Sequence, residues 1–437
     1  MPNLLHLKHL STFIPKRERP YQGYYFRQLM VSIRSPLKGK HVGIIGFNAR
    51  PIACSAKRAG AKVFVSDYWG DEDLSACCDS WIAILTPTPG DRQRQPLEIP
   101  LYEGLVENLF YLTEEQKIDY FIVGSGFDDH IDALQPLYEE GVLIGCSPQQ
   151  MKRARNFESL KKIAEAYDVR MPRRLEVRDP EEAIENSAAL RFPYLVRPTH
   201  SGGGSGIRFV RSTADVARVF GEPEDGEYES RILQQYVGGN DISSSVLAAG
   251  DLALTVSVQG QLIGMPTAGR NCGFAYCGNY YPSGLDRETE SSIKKVSEAI
   301  STKLKLSGSV GLDFIIDMSG QIWLMEVNPR IQGTLELIEA ASDMSLTNLH
   351  VLASEGVLPE KIPKIKPGVK MIVYSRRDGI VPNLSKYPNT VDRTPSGVVV
   401  NMRDPICTVI EVGISMKDCY GKASKTALEI QHRVSIR

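Results

Sequence analysis

Within Val310 to Arg330, VGLDFIIDMSGQIWLMEVNPR, lie two carboxylates and one amide whose types and spacing suit chemistry. Apolar and polar residues alternate on either side of Met318 to Gly320, which predicts two strands joined by a turn. If Ser319 and Gly320 form a two-residue loop, Asp313 falls opposite Glu326 on one face. Like charges directly opposite repel unless a cation lies between them. Asp313, Glu326 and the Asn328 amide oxygen are therefore read as ligands of a hard divalent ion, Mg²⁺ or Mn²⁺, with water and substrate phosphates completing its shell. The alternative is a solvated hairpin face.

A second stretch, PYLVRPTHSGGGSGIRFV from Pro193 to Val210, runs from an apolar strand through a glycine turn into another strand. Gly202, Gly203, Gly204 and Gly206 let backbone amides approach an anion without a side chain intervening. Arg197 adds a cation, and Ser201 and Ser205 belong to the same loop. Neither GxxxxGK[ST] nor a GxGxxG after the first strand is present, which excludes two other phosphate loops. A flexible surface hairpin remains the alternative.

Together, the glycine loop after a strand ending in a cation and the acidic hairpin closing on ExNPR resemble the ATP-grasp superfamily of carboxylate-amine ligases. The resemblance covers about residues 145 to 355. It implies that Asp313, Glu326 and Asn328 hold one or two metal ions between the nucleotide phosphates, with Arg330 facing the transferred phosphoryl group. The run QQYVGGND resembles the family's hinge: Gln234, Gln235, Tyr236 and Val237 would meet the adenine edge and Asp241 the ribose hydroxyls. Arg270, in the loop RNCGFAYCGNYYP, is read as a clamp for a substrate carboxylate. His200 adjoins the glycine loop, and Cys272 and Cys277 are read as plain thiols.

The chain departs from the family pattern twice. Arg197 stands where a Lys is usual, and Asn156-Phe157 stand where a second Lys follows an acid. Lys152, Arg153 and Arg155 are the nearby cations. The opening GFNARPIACSAKRAGAKVFVSDYWGDED resembles predicted ATP-dependent carboligases, several of them from methanogenic archaea. The C-terminal DPICTVIEVG resembles the small closing domain of purine-biosynthetic and biotin-carboxylase-like members.

These residues need a scaffold, and the rest of the chain predicts one of α/β and α+β class. Residues 1–37 form an extension. Residues 38–148 alternate strand and helix, which predicts an open parallel βαβ sheet, the domain that precedes ATP-grasp in the resembling family. Gln149 to Arg170 reads as a helix stopped by Pro172. Residues 149–360 would form the two-lobed ATP-grasp domain, with Glu336 to Ala353 helical, and residues 361–437 a small β-rich third domain.

Bulk composition narrows the partners. Among 437 residues, Lys plus Arg number 51 and Asp plus Glu 52, a net charge of −1 that gives no electrostatic reason to expect nucleic acid or a membrane surface. Eight sparse cysteines, with Cys77 and Cys78 read as structural, predict a reducing cytoplasm. The expected activity is an ATP-dependent ligation of a small carboxylate to an amine through an acyl phosphate, releasing ADP and phosphate. Carboxylation through carboxyphosphate and a catalytically silent nucleotide binder are the alternatives, and a homodimer is compatible with each.

Overall fold

The computed structural model describes residues 35–436 except 96, 98, 99, 200, 201, 222–229 and 270–272. Five parallel strands open the described chain, in the order Ser80–Ala83, Lys62–Asp67, His41–Gly46, Tyr120–Val123 and Leu143–Ile144. The central strand HVGIIG is buried along all but its first residue, as expected where helices cover both faces of a parallel sheet. Gly43 is required there, because a Cβ would stand 2.5 Å from the Phe121 ring. At the carboxyl edge, Asp67 accepts the amide hydrogens of Ala49 at 2.7 Å and of Trp69 and Gly70 at 2.9 Å. That contact ties the loops after the first two strands together. Burial nevertheless pushes its carboxyl up to about 7.

The second layer is an eight-stranded antiparallel sheet ordered Ile322–Asn328, Ser307–Asp317, Gly239–Ala249, Leu252–Ile263, Tyr276–Tyr281, Gly368–Tyr374, Pro405–Val412 and Thr390–Val391. Strands from beyond residue 360 thus extend the same sheet, through pairing of Tyr276–Tyr281 with Gly368–Tyr374. Helix Arg287–Lys303 lays Ile293, Val296 and Ile300 in the core with Val246, Val258, Val310 and Leu312. The C-terminal helix Met416–Arg433 buries Cys419, Ala423, Ala427 and Ile430 against Val369, Met371, Val373 and Val409.

Above one end stands a four-stranded sheet, ordered Arg174–Val177, Arg231–Gln235, Tyr194–Pro198 and Arg208–Val210. Val177, Tyr194, Val196, Val210 and Leu233 form its covered side with the helices Pro180–Leu190 and Thr213–Gly221. Strand alternation then places Arg174, Gln234 and Arg197 together on the opposite side.

Three local readings change. The run from Gln149 is two helices, Pro148–Arg155 and Phe157–Glu165, because Asn156 adopts an extended ψ of 105° and its side chain caps the Ser159 amide at 2.9 Å. Glu336 to Ala353 is likewise two helices, Leu335–Ala341 and Leu346–Ser354, the second capped by Ser345. Cys54 and Cys77 form a disulfide with Cα atoms 4.4 Å apart, against the reducing reading. Helix Arg50–Arg58 lies against the turn Ser75–Cys77, a proximity that spacing alone does not reveal.

Candidate nucleotide and metal site

Asp313 pairs directly with Glu326, although the loop between them is not the two-residue turn. Ile316 pairs with Ile322 and Phe314 with Leu324, so Met318 to Gly320 make a three-residue connection. Asp317 shapes it by accepting from the Ser319 amide at 2.8 Å and the Gln321 amide at 3.1 Å. This register would carry Asp313 past Glu326 by one residue. A bulge at Met325 restores the alignment and frees the Met325 carbonyl, which accepts Arg174 Nη2 at 3.1 Å.

The Asn328 amide nitrogen donates to Asp313 Oδ2 at 2.9 Å and Glu326 Oε1 at 3.3 Å, and Gln261 Nε2 donates to Asp313 Oδ1 at 3.0 Å. Burial, then the Glu326 charge, pushes the Asp313 carboxyl well above its ordinary value. Burial also acts on Glu326, but the guanidiniums of Arg155 and Arg197 outweigh it and hold that carboxyl low. The pair is poised to share one proton. These donors fit a divalent cation: two carboxylates converge, and turning the Asn328 amide exchanges its N–H for an oxygen. Among the described residues no group of three or more His, Cys, Asp and Glu gathers as a metal cage. Further ligands would come from water and phosphate.

Facing the acids is a cluster of guanidiniums. Arg155 reaches Glu326 Oε2 at 3.5 Å and Asp129 Oδ1 at 2.6 Å. Arg174 lies over the Phe157 ring at 4.6 Å. Burial, then the like charge of Arg197, brings Arg174 down to about 10, and burial also lowers Arg197. The Nε atoms of Arg174 and Arg197 and the Oε1 of Gln234 are buried without a hydrogen-bond partner. Desolvated cations with orphaned donors are costly unless an anion meets them. The cleft therefore suits a phosphate chain, with the Gln234 Oε1 free to accept from a polar ligand.

Of the nearby cations offered against the missing Lys, Arg155 alone turns to the acids. Lys152 pairs with Asp132, and Arg153 donates to the Leu304 carbonyl at 3.3 Å. Arg330 lies close by but grips Asp128, its Nε at 2.8 and 3.1 Å from the two carboxylate oxygens. Asp128, Asp129, Arg174 and Gln261 were not legible in the sequence, since only the fold brings them here. A lone Arg in a short strand after Pro172 carries no motif.

The glycine loop is seated on the segment after residue 272. Tyr276 N donates to the Gly203 carbonyl at 3.0 Å, and a Cβ on Gly204 would stand 1.8 Å from the Phe274 oxygen. Gly203, Gly204 and Gly206 have φ of 62, 78 and 71°, the left-handed region that glycine enters without strain. Ser205 N closes a turn on the Gly202 carbonyl at 3.2 Å. Ser201, His200, Arg270 and Cys272 lie outside the described residues. Cys277 is a buried thiol whose Sγ donates to the Ala275 carbonyl at 3.3 Å.

At the hinge, the Gln235 side chain accepts from Arg173 N at 3.2 Å, Val237 is buried, and Tyr236 meets Phe209 edge-on at 4.8 Å. Asp241 lies on the strand Gly239–Ala249, two residues before Ser243, which pairs with Asp313. Asp241 and Asp313 thus share a face. Burial raises the Asp241 carboxyl to about 6.

The chain is similar to several known proteins. A stretch of 263 residues is 24% identical to the C-terminal section of the carbamoyl phosphate synthase large chain of Methanopyrus kandleri, covering 60% of this chain and 48% of that one. The match therefore spans about half the length of that relative. An uncharacterized protein of Methanocaldococcus jannaschii is 24% identical over 377 residues, 84% of this chain and 87% of its own. The biotin carboxylase of Campylobacter jejuni, solved as a beta-gamma-ATP complex, shares the fold with a TM-score of 0.67 at 15% identity, covering 90% of this chain and 92% of that one. The family model described as the ATP-grasp domain matches residues 154–334 of this chain, which hold the Asp313–Glu326 pair, the guanidiniums, the glycine loop and the hinge run.

Proposed function

We propose that the protein is an ATP- and Mg²⁺-dependent ligase that joins a small carboxylate to an amine through an acyl phosphate and releases ADP and phosphate. The observation that carries this reading is the juxtaposition of the Asp313–Glu326 pair with the unpartnered Nε atoms of Arg174 and Arg197. Acids that need a cation and cations that need an anion are jointly satisfied by a metal-bound nucleotide phosphate. Gln234 and the backbone from Gln235 to Val237 would hold adenine, Asp241 the ribose, and Gly202 to Gly206 with Ser201 the phosphates. Asp313, Glu326 and Asn328 would hold Mg²⁺ or Mn²⁺, which supplies charge neutralisation on the phosphates.

A carboxylate is a poor electrophile, so the chemistry begins with its oxygen attacking the γ-phosphorus while the bond to the ADP oxygen breaks. Arg330, once released by Asp128, would stabilise the phosphoryl oxygens, and Arg270 would orient the carboxylate. The amine then attacks the acyl carbon and inorganic phosphate departs with the electron pair of the broken C–O bond. Seating of the glycine loop on Phe274 to Tyr276 would exclude water from the acyl phosphate in between. Hydroxylamine tests the order of events: with the correct acid and no amine it should trap a hydroxamate alongside ADP and phosphate. AMP and pyrophosphate would instead indicate adenylation.

Carboxylation through carboxyphosphate is the second reading, favoured by the fold shared with biotin carboxylase. ADP release that depends on bicarbonate would select it. Absence of ADP release with every added acid and with bicarbonate would favour a silent nucleotide binder. We propose that the protein acts on small molecules; a homodimer is compatible with this reading. Among the described residues no helix is long and apolar enough to cross a membrane.

A further inference from the structure

Beside the hinge lies a groove of about 730 Å³ that shares only Gln235 with the proposed nucleotide site. Its floor is apolar, made by Met171, Leu190 and Trp323, which are 6%, 7% and 8% exposed. Its rim carries Lys161, Arg170, Arg173 and Arg191 against only Glu165 and Asp168. Four cations and two acids leave an excess of two positive charges. Among the described residues Lys161 and Arg191 have no ion pair.

Arg191 makes the groove more than a basic surface. It follows the helix Pro180–Leu190 with a φ of 60°, the left-handed position where Gly or Asn is preferred. An arginine there costs about 1 kcal/mol of backbone strain. That side chain lines the groove from the small lobe. Arg170 lines it from the other lobe, its guanidinium 5.7 Å over the Trp323 ring and its backbone fixed to the large sheet by bonds to Ile322 O at 3.1 Å and from Leu324 N at 2.8 Å.

We infer that this groove binds a small planar anion, an aromatic ring bearing a phosphate or carboxylate, with the ring on Met171 and Leu190 and the anionic group between Arg170 and Arg191. Planarity follows from the apolar floor and the flat guanidinium of Arg170; the charge follows from the rim. An occupant held by both arginines spans the two lobes. Gln235 of the hinge also lines the groove, and it bonds the Arg173 backbone in both directions, N to O at 2.9 Å and Oε1 from N at 3.2 Å. Occupancy therefore bears on the orientation of the small lobe.

Equilibrium dialysis of 1-naphthyl phosphate against the full chain tests the site, first with ADP and Mg²⁺ saturating the cleft and then without them. Saturable binding is expected in the presence of ADP, weakened at least tenfold in R191G and restored to within a few fold in R191K. Arg191→Gly relieves the left-handed strain, so weakened binding in that variant does not report unfolding. No saturable binding with ADP present, or equal binding by R191G and the unaltered protein, would overturn the assignment. Equal affinity with and without ADP would overturn the link to lobe orientation. None of these outcomes depends on turnover, so they are independent of the ligase reading.

Discussion

Asp313→Asn isolates the electrostatic argument of the site, because it removes one charge of the facing pair and keeps the side-chain shape. The Asn328 nitrogen lies 2.9 Å from Asp313 Oδ2 and 3.3 Å from Glu326 Oε1, so these oxygens are no more than about 6 Å apart. At an effective dielectric of about 20 to 40 their repulsion is roughly 1–3 kcal/mol. The lower end applies if water screens them well, since the Glu326 side chain is 40% exposed. The raised Asp313 carboxyl means that the native state favours its protonated form. Its cost to stability is thus absent below the ordinary carboxylate range, grows as pH rises, and levels off above the raised native value.

Apparent melting temperatures of both proteins, from about pH 5 to about pH 9, measure this directly. D313N is expected to gain on the unaltered protein as pH rises, reaching about 1–4 °C for a chain of this size. The comparison cancels every group common to the two. With Mg²⁺ and ADP present the order should reverse, because the unaltered site gains a cation between its two carboxylates and the variant has lost one ligand. A difference that is flat with pH, or equal stabilisation of both proteins by Mg²⁺ and ADP, would refute the reasoning.

Glu326→Ala should abolish turnover and leave a folded protein; wild-type turnover in a metal-dependent assay would place the ion elsewhere. Gly204→Ala places a Cβ 1.8 Å from the Phe274 oxygen at a φ of 78°, so the loop should fail to seat. Protease nicking near residues 202 to 206 with ATP and Mg²⁺ present should then exceed that of the unaltered protein, and equal protection would remove the lid role. Since burial raises the Asp241 carboxyl to about 6, acidification through that value protonates the proposed ribose acceptor. ADP affinity should fall there by roughly threefold to tenfold, and D241N should lose that step; an unchanged pH profile in D241N would exclude the contact.

The fold was legible where burial writes a simple pattern. The strand HVGIIG is apolar at nearly every position because helices cover both faces, and the hairpin alternates because only one of its faces packs inward. Helix interruptions were harder to see: Asn156 and Ser345 occupy ordinary polar positions until their side chains are found capping a following amide. Continuation of the large sheet past residue 360 depends on a register between strands almost ninety residues apart in sequence, which no local period encodes.

The site shows a related division. Asp313, Glu326 and Asn328 share one hairpin, so strand periodicity and a turn were enough to bring them together. A three-residue connection and the bulge at Met325 compensate for each other, so the pairing survives a wrong local detail. The cations that face the acid pair come instead from a helix end, Arg155, and from separate strands, Arg174 and Arg197. Phe157 explains why the sequence looked deficient. It stands where the resembling family usually has a lysine, yet it offers an aromatic face to Arg174 at 4.6 Å, and the Arg174 guanidinium also reaches the carbonyl freed by the bulge. A stacked and hydrogen-bonded guanidinium loses less freedom on meeting phosphate than a flexible lysine does. Removing that ring, as in Phe157→Ala, should therefore weaken ADP binding by several fold although Phe157 carries no charge, and Phe157→Lys should not exceed the unaltered affinity because it adds a cation while releasing Arg174. Isothermal titration with ADP and Mg²⁺ distinguishes the two accounts: undiminished affinity in F157A would show that Arg174 needs no ring to hold it, and a large gain in F157K would show that the family lysine is missing rather than replaced.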